Sequence, residues 1–174
     1  MAPPDTELST PILTALVITL SDRAHAGEYP DRSGPVLMEG LKKFCTERGW
    51  TLEAEVSLLP DDPERLESAL SDAVARGVML VLTTGGTGIG PRDHTPDLVA
   101  RMADREIPGI MEYIRWKYGQ TNPNALLSRS IAAILGSTLV YTLPGSVGAA
   151  QEYMAEITLS LEHALLTLRG SDTH

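Results

Sequence analysis

The stretch TTGGTGIGPRDHTPD, residues 83–97, gathers the residue types that phosphate chemistry needs directly behind the apolar run VMLVL. Gly85, Gly86, Gly88 and Gly90 would let backbone amides approach a ligand with no β-carbon in the way, and Thr83, Thr84 and Thr87 add hydroxyls. Neither common nucleotide signature fits. Gly85 and Gly90 have the spacing of a P-loop, but Pro91 stands where that motif places lysine. Pro91 also occupies the third glycine position of a dinucleotide fingerprint begun at Gly86 and Gly88. Two accounts stay open: an amide nest for phosphate oxygens, or glycines that only permit positive φ in a sharp turn after a strand. Four glycines within six residues favour the nest.

Charged and hydroxyl groups recur at the ends of other apolar runs. Arg92 can neutralise phosphate bidentately, and Asp93 beside it can hold Mg²⁺ or orient a nucleophile, with a bare surface ion pair as the alternative. In LLPDDPERL, Asp61 or Asp62 caps the helix that Pro63 opens, and the two roles are compatible: Asp61 and Asp93 could share a magnesium ion carrying substrate phosphates. SDRAHAGEYPDRSG brings Ser21, Asp22, Arg23, Asp31, Arg32 and Ser33 to the same edge. LSRS adds Ser128, Arg129 and Ser130, and LPGS adds Pro144, Gly145 and Ser146 at a helix start, where an anion is favoured. The histidines show no metal spacing, and His94 alone is a minor site candidate.

The elements that must position these residues alternate along the chain. ILTALVITL is a continuous β-branched and leucine run suited to a strand buried on both faces. A helix from Ser33, as N-cap, to Arg48 stops at Gly49. TLEAEVSLL alternates as a strand with one wetter face, a helix from Pro63 runs to Gly77, and residues 78–83 form the third strand. Thr95 and Pro96 start a helix that runs toward Pro108, and GIMEYIRWKYG forms another. SRSIAAILGSTLVYTLPG reads as two strands joined at Gly136-Ser137, followed by a helix from about Gly148 to Leu168. This order predicts a single-domain α/β fold: a three-layer sandwich with a mostly parallel central sheet and helices on both faces, spanning residues 13–170 behind a flexible arm of residues 1–12. Ligands of such folds bind at the carboxyl ends of the strands.

The whole-chain properties set bounds. With 174 residues, 43% hydrophobic and 21% charged, the chain makes one globular domain, and no apolar run is long enough to span a bilayer. MAPPDTELSTP has no basic start or apolar core and is not expected to be a signal peptide. The single cysteine, Cys45, excludes an internal disulfide and suits a core position in a reducing, cytoplasmic setting. Met102, Met111 and Met154 are expected to fill core, and Trp50, Trp116 and Tyr118 to be partly buried. A net charge of −9 argues against a nucleic-acid-binding surface, and an anionic substrate would need local donors or a metal.

With these residues in place, the chain resembles the molybdopterin adenylyltransferase family, the MogA-type proteins and the G domain of gephyrin-like fusions. LSDRAHAGEYPDRSGP, LLPDDPERL, LTTGGTGIGPRDHTPD, ADREIPGI, LSRSIAAILGSTLVYTLPGS and the closing helix match in order over nearly the whole chain. The resemblance implies a Mg²⁺-dependent adenylyl transfer from ATP to the terminal phosphate of molybdopterin, releasing pyrophosphate. It implies Asp61 and Asp93 as essential carboxylates and metal ligands, and the glycine loop with Ser21 and Asp22 as the nucleotide and pterin pocket. Ser128, Ser130 and Ser146 become pterin-side donors. It also implies a homotrimer and a molybdenum insertase as downstream partner. The competing expectations are a MoaB-type relative of the same fold with weaker or different activity, and a non-catalytic trimeric binding or scaffold module.

Overall fold

The computed structural model describes residues 10–170; the arm expected over residues 1–12 falls mostly outside them, and Ile12 already opens the first strand. Nine residues, Ile12–Leu20, form β1, whose side chains alternate between two cores. Leu13, Ala15 and Val17 join one buried cluster and Leu16, Ile18 and Leu20 the other, as the period of two in a strand demands. After the short helix α1 (Asp22–His25), helix α2 (Ser33–Arg48) covers the first face and leads to β2 (Thr51–Leu59). Helix α3 (Pro63–Ala75) covers the second face and returns to β3 (Leu80–Thr84), all five residues of which are buried.

The rest of the chain completes the layers. α4 (Thr95–Met102) joins α3, β4 (Arg105–Glu106) is an edge strand, and α5 (Pro108–Gly119) lies with α2 and the last helix, α6 (Val147–Leu168). A 3-10 turn, Pro123–Leu127, precedes the hairpin of β5 (Ala132–Leu135) and β6 (Thr138–Leu143), which turns at Gly136 with φ of 59°. The sheet order is β2-β1-β3-β6-β5-β4, with β2, β1, β3 and β6 parallel and β5 antiparallel to both neighbours. The three-layer α/β sandwich read from the sequence is present. β1 sends one connection to β2 on its left and the chain then returns to β3 on its right, so the crevice falls at the carboxyl ends of β1 and β3.

Several local expectations are corrected. Ser33 is the first residue of α2, not its cap: Asp31 Oδ1 accepts from the Ser33 and Gly34 amides, each at 3.1 Å. Thr95 likewise starts α4 inside the helix, after His94. α4 stops at Met102 instead of running toward Pro108, because Asp104 N–H and Ile107 N–H bond Ile134 O and Ala132 O, and Asp104 Oδ2 accepts from Gly136 N–H at 2.6 Å. Sheet pairing outcompetes a continuing helix. Cys45, Met111 and Met154 are core residues as expected; burial pushes the Cys45 thiol up. Met102 is only partly buried, Trp50 packs edge-on against Phe44, and Trp116 is 64% exposed. Among the described residues no helix is long and apolar enough to cross a membrane.

The two adjacent aspartates after β2 separate cleanly. Asp62 Oδ1 accepts from Glu64 and Arg65 N–H at 2.9 and 3.3 Å and is the cap of α3, which leaves Asp61 free of that duty. Asp62→Ala should lower stability by about 1 kcal/mol in a urea melt, while Asp61→Ala keeps this cap intact. Equal losses from both substitutions would contradict the assignment.

Candidate functional site

The loops leaving β1, β2, β3 and β6 surround a cleft of about 680 Å³. The glycine loop after β3 forms one wall. Gly85 has φ of 110°, and a β-carbon there would lie 2.3 Å from Leu20 O, so the loop approaches the end of β1 as only glycine permits. Gly85 N–H donates to Leu143 O at 3.0 Å, which pins the same point to β6. Gly90, Pro91, Arg92 and Asp93 then make a turn closed by Asp93 N–H to Gly90 O at 3.1 Å, and Gly90 N–H donates to Asp93 Oδ2 at 2.8 Å. A β-carbon on Gly88 or on Gly90 would come within 2.8 Å of that carboxylate oxygen. The glycines here make room for an aspartate as well as for backbone.

Asp61 faces this loop from the end of β2. Its Oδ2 accepts from Asp22 N–H at 3.2 Å, and Asp22 Oδ1 accepts from Asp61 N–H at 2.9 Å, a reciprocal pair that fastens the loops after β1 and β2 together. Burial, and then the negative charge of Asp93, push the Asp61 carboxyl above the usual carboxylate range. The two carboxylates sense each other across the cleft, and both line it. Arg92 also lines the cleft, with its guanidinium paired to Asp22. Three lining carboxylates, Asp61, Asp93 and Glu152, therefore stand against one guanidinium.

The residues expected from the sequence divide into those the structure brings to the cleft and those it places behind it. Ser21, Gly85, Gly86, Thr87, Gly88, Arg92, Asp93, Asp61, Ser128, Pro144, Gly145 and Ser146 all line it. Thr84 is fully buried and donates to Pro144 O at 2.9 Å, so it holds the LPGS turn in place; Thr83 is fully buried too and its hydroxyl has no partner. Ser130 lies beneath Ser128, whose Oγ donates to it at 2.9 Å and accepts from Tyr153 Oη at 3.0 Å. Asp22 acts through Asp61 and Arg92. Arg129 turns its guanidinium to the glycine loop and Asp97. Arg23 pairs with Glu28, and Asp31 caps α2 and accepts from Thr19 Oγ1, so neither is at the cleft. Ser146 caps α6, accepting from Ala149 N–H at 3.2 Å, at the helix start that favours an anion.

Tyr29, Ile89, Asn122, Asn124, Glu152 and Tyr153 line the cleft without having been singled out in the sequence. The pair of asparagines around Pro123 is a turn signal that a closer look at TNPN would have raised. Glu152 and Tyr153 sit within an ordinary amphipathic helix pattern and carry no local signal. Among the described residues no three His, Cys, Asp or Glu side chains form a group able to hold a metal by themselves.

A glycine loop and paired carboxylates at the switch point of a parallel sheet define a class: an α/β sandwich with a ligand-sized cleft at its strand ends. Within that class, the chain belongs to the family described as "probable molybdopterin binding domain", which it matches over residues 16–163. It is 38% identical over 158 residues to a molybdenum cofactor biosynthesis bifunctional protein of Synechococcus elongatus, covering 91% of this chain and 48% of that one. It is 39% identical over 137 residues to the molybdopterin adenylyltransferase of Escherichia coli K12, covering 78% of this chain and 69% of that one. A molybdopterin biosynthesis protein from Mycobacterium abscessus superposes with a TM-score of 0.79 at 36% identity, over 90% of this chain and 96% of that one. The chain spans about half the length of its bifunctional relatives.

Since the folded-state pKa of Asp61 lies above its unfolded value, ionising it costs stability as pH rises through that interval. Asp61→Asn keeps an oxygen to accept from Asp22 N–H and removes the charge. It should raise Tm at neutral pH, with the gain vanishing below about pH 4, where the carboxyl is protonated folded and unfolded alike. Melting curves across pH decide this; a lower Tm for the variant at neutral pH would refute it.

Proposed function

We propose that this protein adenylylates molybdopterin in molybdenum cofactor biosynthesis. The observation that carries the proposal is the facing pair Asp61 and Asp93 beside an amide-rich loop, in a cleft too acidic to hold phosphates unaided. An oxygen of the pterin's terminal phosphate attacks the α-phosphorus of ATP, a new P–O bond forms, the bond from that phosphorus to the β-phosphate oxygen breaks, and pyrophosphate leaves. The nucleophile is already an anion, so the chain needs no histidine base and no nucleophilic side chain. Its work is positioning and charge neutralisation.

The donor set fits Mg²⁺. Two carboxylates that repel each other in one cleft suit an ion that is usually bound by one or two carboxylates plus phosphates. When bound by Asp61 and Asp93, the ion would neutralise charge on the polyphosphate and on the leaving pyrophosphate. Gly86, Thr87, Gly88 and Arg92 line the cleft, where their N–H groups would meet the phosphates, while the Gly85 amide stays on Leu143 O. Arg92 would exchange Asp22 for a ligand oxygen. Ser128 and Ser146, with Ser130 behind them, donate to the pterin side, and Ser21 and Pro144-Gly145 close the walls.

A homotrimer, a cytoplasmic setting and a molybdenum insertase that consumes the product accompany this reading. They follow from the family resemblance.

Incubation with molybdopterin, ATP and Mg²⁺ should yield adenylylated pterin and pyrophosphate in equal amounts, and chelation of the metal should stop both. Pterin binding with neither product would favour the non-catalytic module. Asp93→Asn should retain pterin binding and lose kcat by about 100-fold or more, because its charge acts chiefly on the transition state. Normal turnover in that variant would remove Asp93 from the chemistry.

A further inference from the structure

The segment that carries Asp93 has almost no packing to hold it. From Gly88 to His94 no residue is buried, and Ile89 is 70% exposed. Such a loop is expected to open at low free energy unless polar contacts restrain it. Besides the pairing of Arg92 with Asp22, the restraint comes from one side chain in LSRS. Arg129 Nε donates to Gly88 O at 2.7 Å, Nη1 donates to both carboxylate oxygens of Asp97 at 2.8 Å, and Nη2 donates to Asp93 O. Its own backbone N–H donates to Thr87 O at 2.8 Å. The loop is thus gripped at its entry, at Gly88, at Asp93 and in the first turn of α4.

We propose that Arg129, anchored by Asp97, is a positioning residue that clamps the glycine loop and thereby fixes the Asp93 carboxylate at the cleft. The proposal rests on the adenylyl-transfer reading for its kinetic consequence, though not for its structural one. Arg129 does not line the cleft, and each of its three guanidinium nitrogens is engaged by the loop or Asp97. It therefore acts through Asp93 and not on a ligand. The planar five-donor fork is what spans three separate acceptors; a lysine ammonium at the same place has the charge but not the reach. Asp97 holds the fork in plane while its other two nitrogens face the two loop carbonyls.

Arg129→Lys and Asp97→Asn test this, with Arg129→Gln as a second variant in case the first folds poorly. Hydrogen exchange should become faster at the amides of Gly90 and Asp93 and stay unchanged in β3, in the presence and absence of ATP and Mg²⁺. For Arg129→Lys, kcat per pterin-binding site should fall by about 100-fold, the scale of loss for a reacting group misplaced by about 1 Å. The KM for ATP and the dissociation constant for molybdopterin should stay at their wild-type values. Asp97→Asn should fall between the two. A raised KM or weakened pterin binding with loop exchange unchanged would make Arg129 a ligand donor and overturn the clamp. Unchanged exchange with unchanged kcat would overturn it, and so would faster exchange with unchanged kcat. If the wild-type protein makes no adenylylated pterin, the functional reading fails on its own and the exchange experiment still decides whether the clamp exists.

Discussion

The site depends on the close approach of backbone to backbone where β1, β3 and β6 end. Parallel register brings Thr19, Thr84 and Leu143 to one level, with Leu20 one residue further on, and the chain leaving β3 must turn at once without burying unpaired amides. Gly85 solves this by passing so near Leu20 O that no side chain fits, while its N–H bonds Leu143 O. Gly145 approaches from the other side, where an added β-carbon would sit 3.3 Å from Gly85 Cα. With that crossing set, Gly86, Thr87 and Gly88 line the cleft, and the turns after β1 and β6 become its walls. A substituent at the crossing would separate the strand ends, and with them the groups that line the cleft.

Charge is the second constraint, and it opposes stability. Asp61 is partly buried near Asp93, and burial and that neighbouring charge both push its carboxyl upward. The fold tolerates this by lending Asp61 a backbone donor from Asp22, and by returning the Asp22 carboxylate to Asp61 N–H and to Arg92. A strained acidic pair in a glycine-lined cleft is the arrangement expected where function, not folding, sets the residues. The chain as a whole is acidic, so an anionic ligand gains nothing from the long-range field and depends on these local groups.

Many of the polar residues around the cleft serve twice. Ser146 caps α6 and lines the cavity; Ser128 lines it and accepts from Tyr153; Asp62 caps α3 so that its neighbour Asp61 need not. Others make contacts within the scaffold. Thr84 holds Pro144, Asp31 caps α2, and Arg129 grips the loop from behind. A residue type that can donate to phosphate can equally donate to a carbonyl, and composition alone does not separate the two.

The sequence by itself determined the layer architecture, because period-two and helical apolar patterns are local and each buries one predictable face. It also pointed to the glycine loop, to Asp61 and Asp93, and to the serine-bearing turns, because α/β folds collect their ligands at strand ends and all of these lie there. What it left open were contacts between residues far apart in the chain: that Asp61 meets Asp22 while Asp62 is left to cap α3, where α4 yields to the pairing of β4 with β5, and whether Arg129 meets a ligand or the loop. Those depend on contacts across about 25 or more residues of chain, as between Ile107 and Ala132, Asp97 and Arg129, or Asp22 and Asp61. Only the packed sheet brings such partners together, and the hydrogen-bond geometry it imposes then decides which donor serves the chemistry and which holds the site in shape.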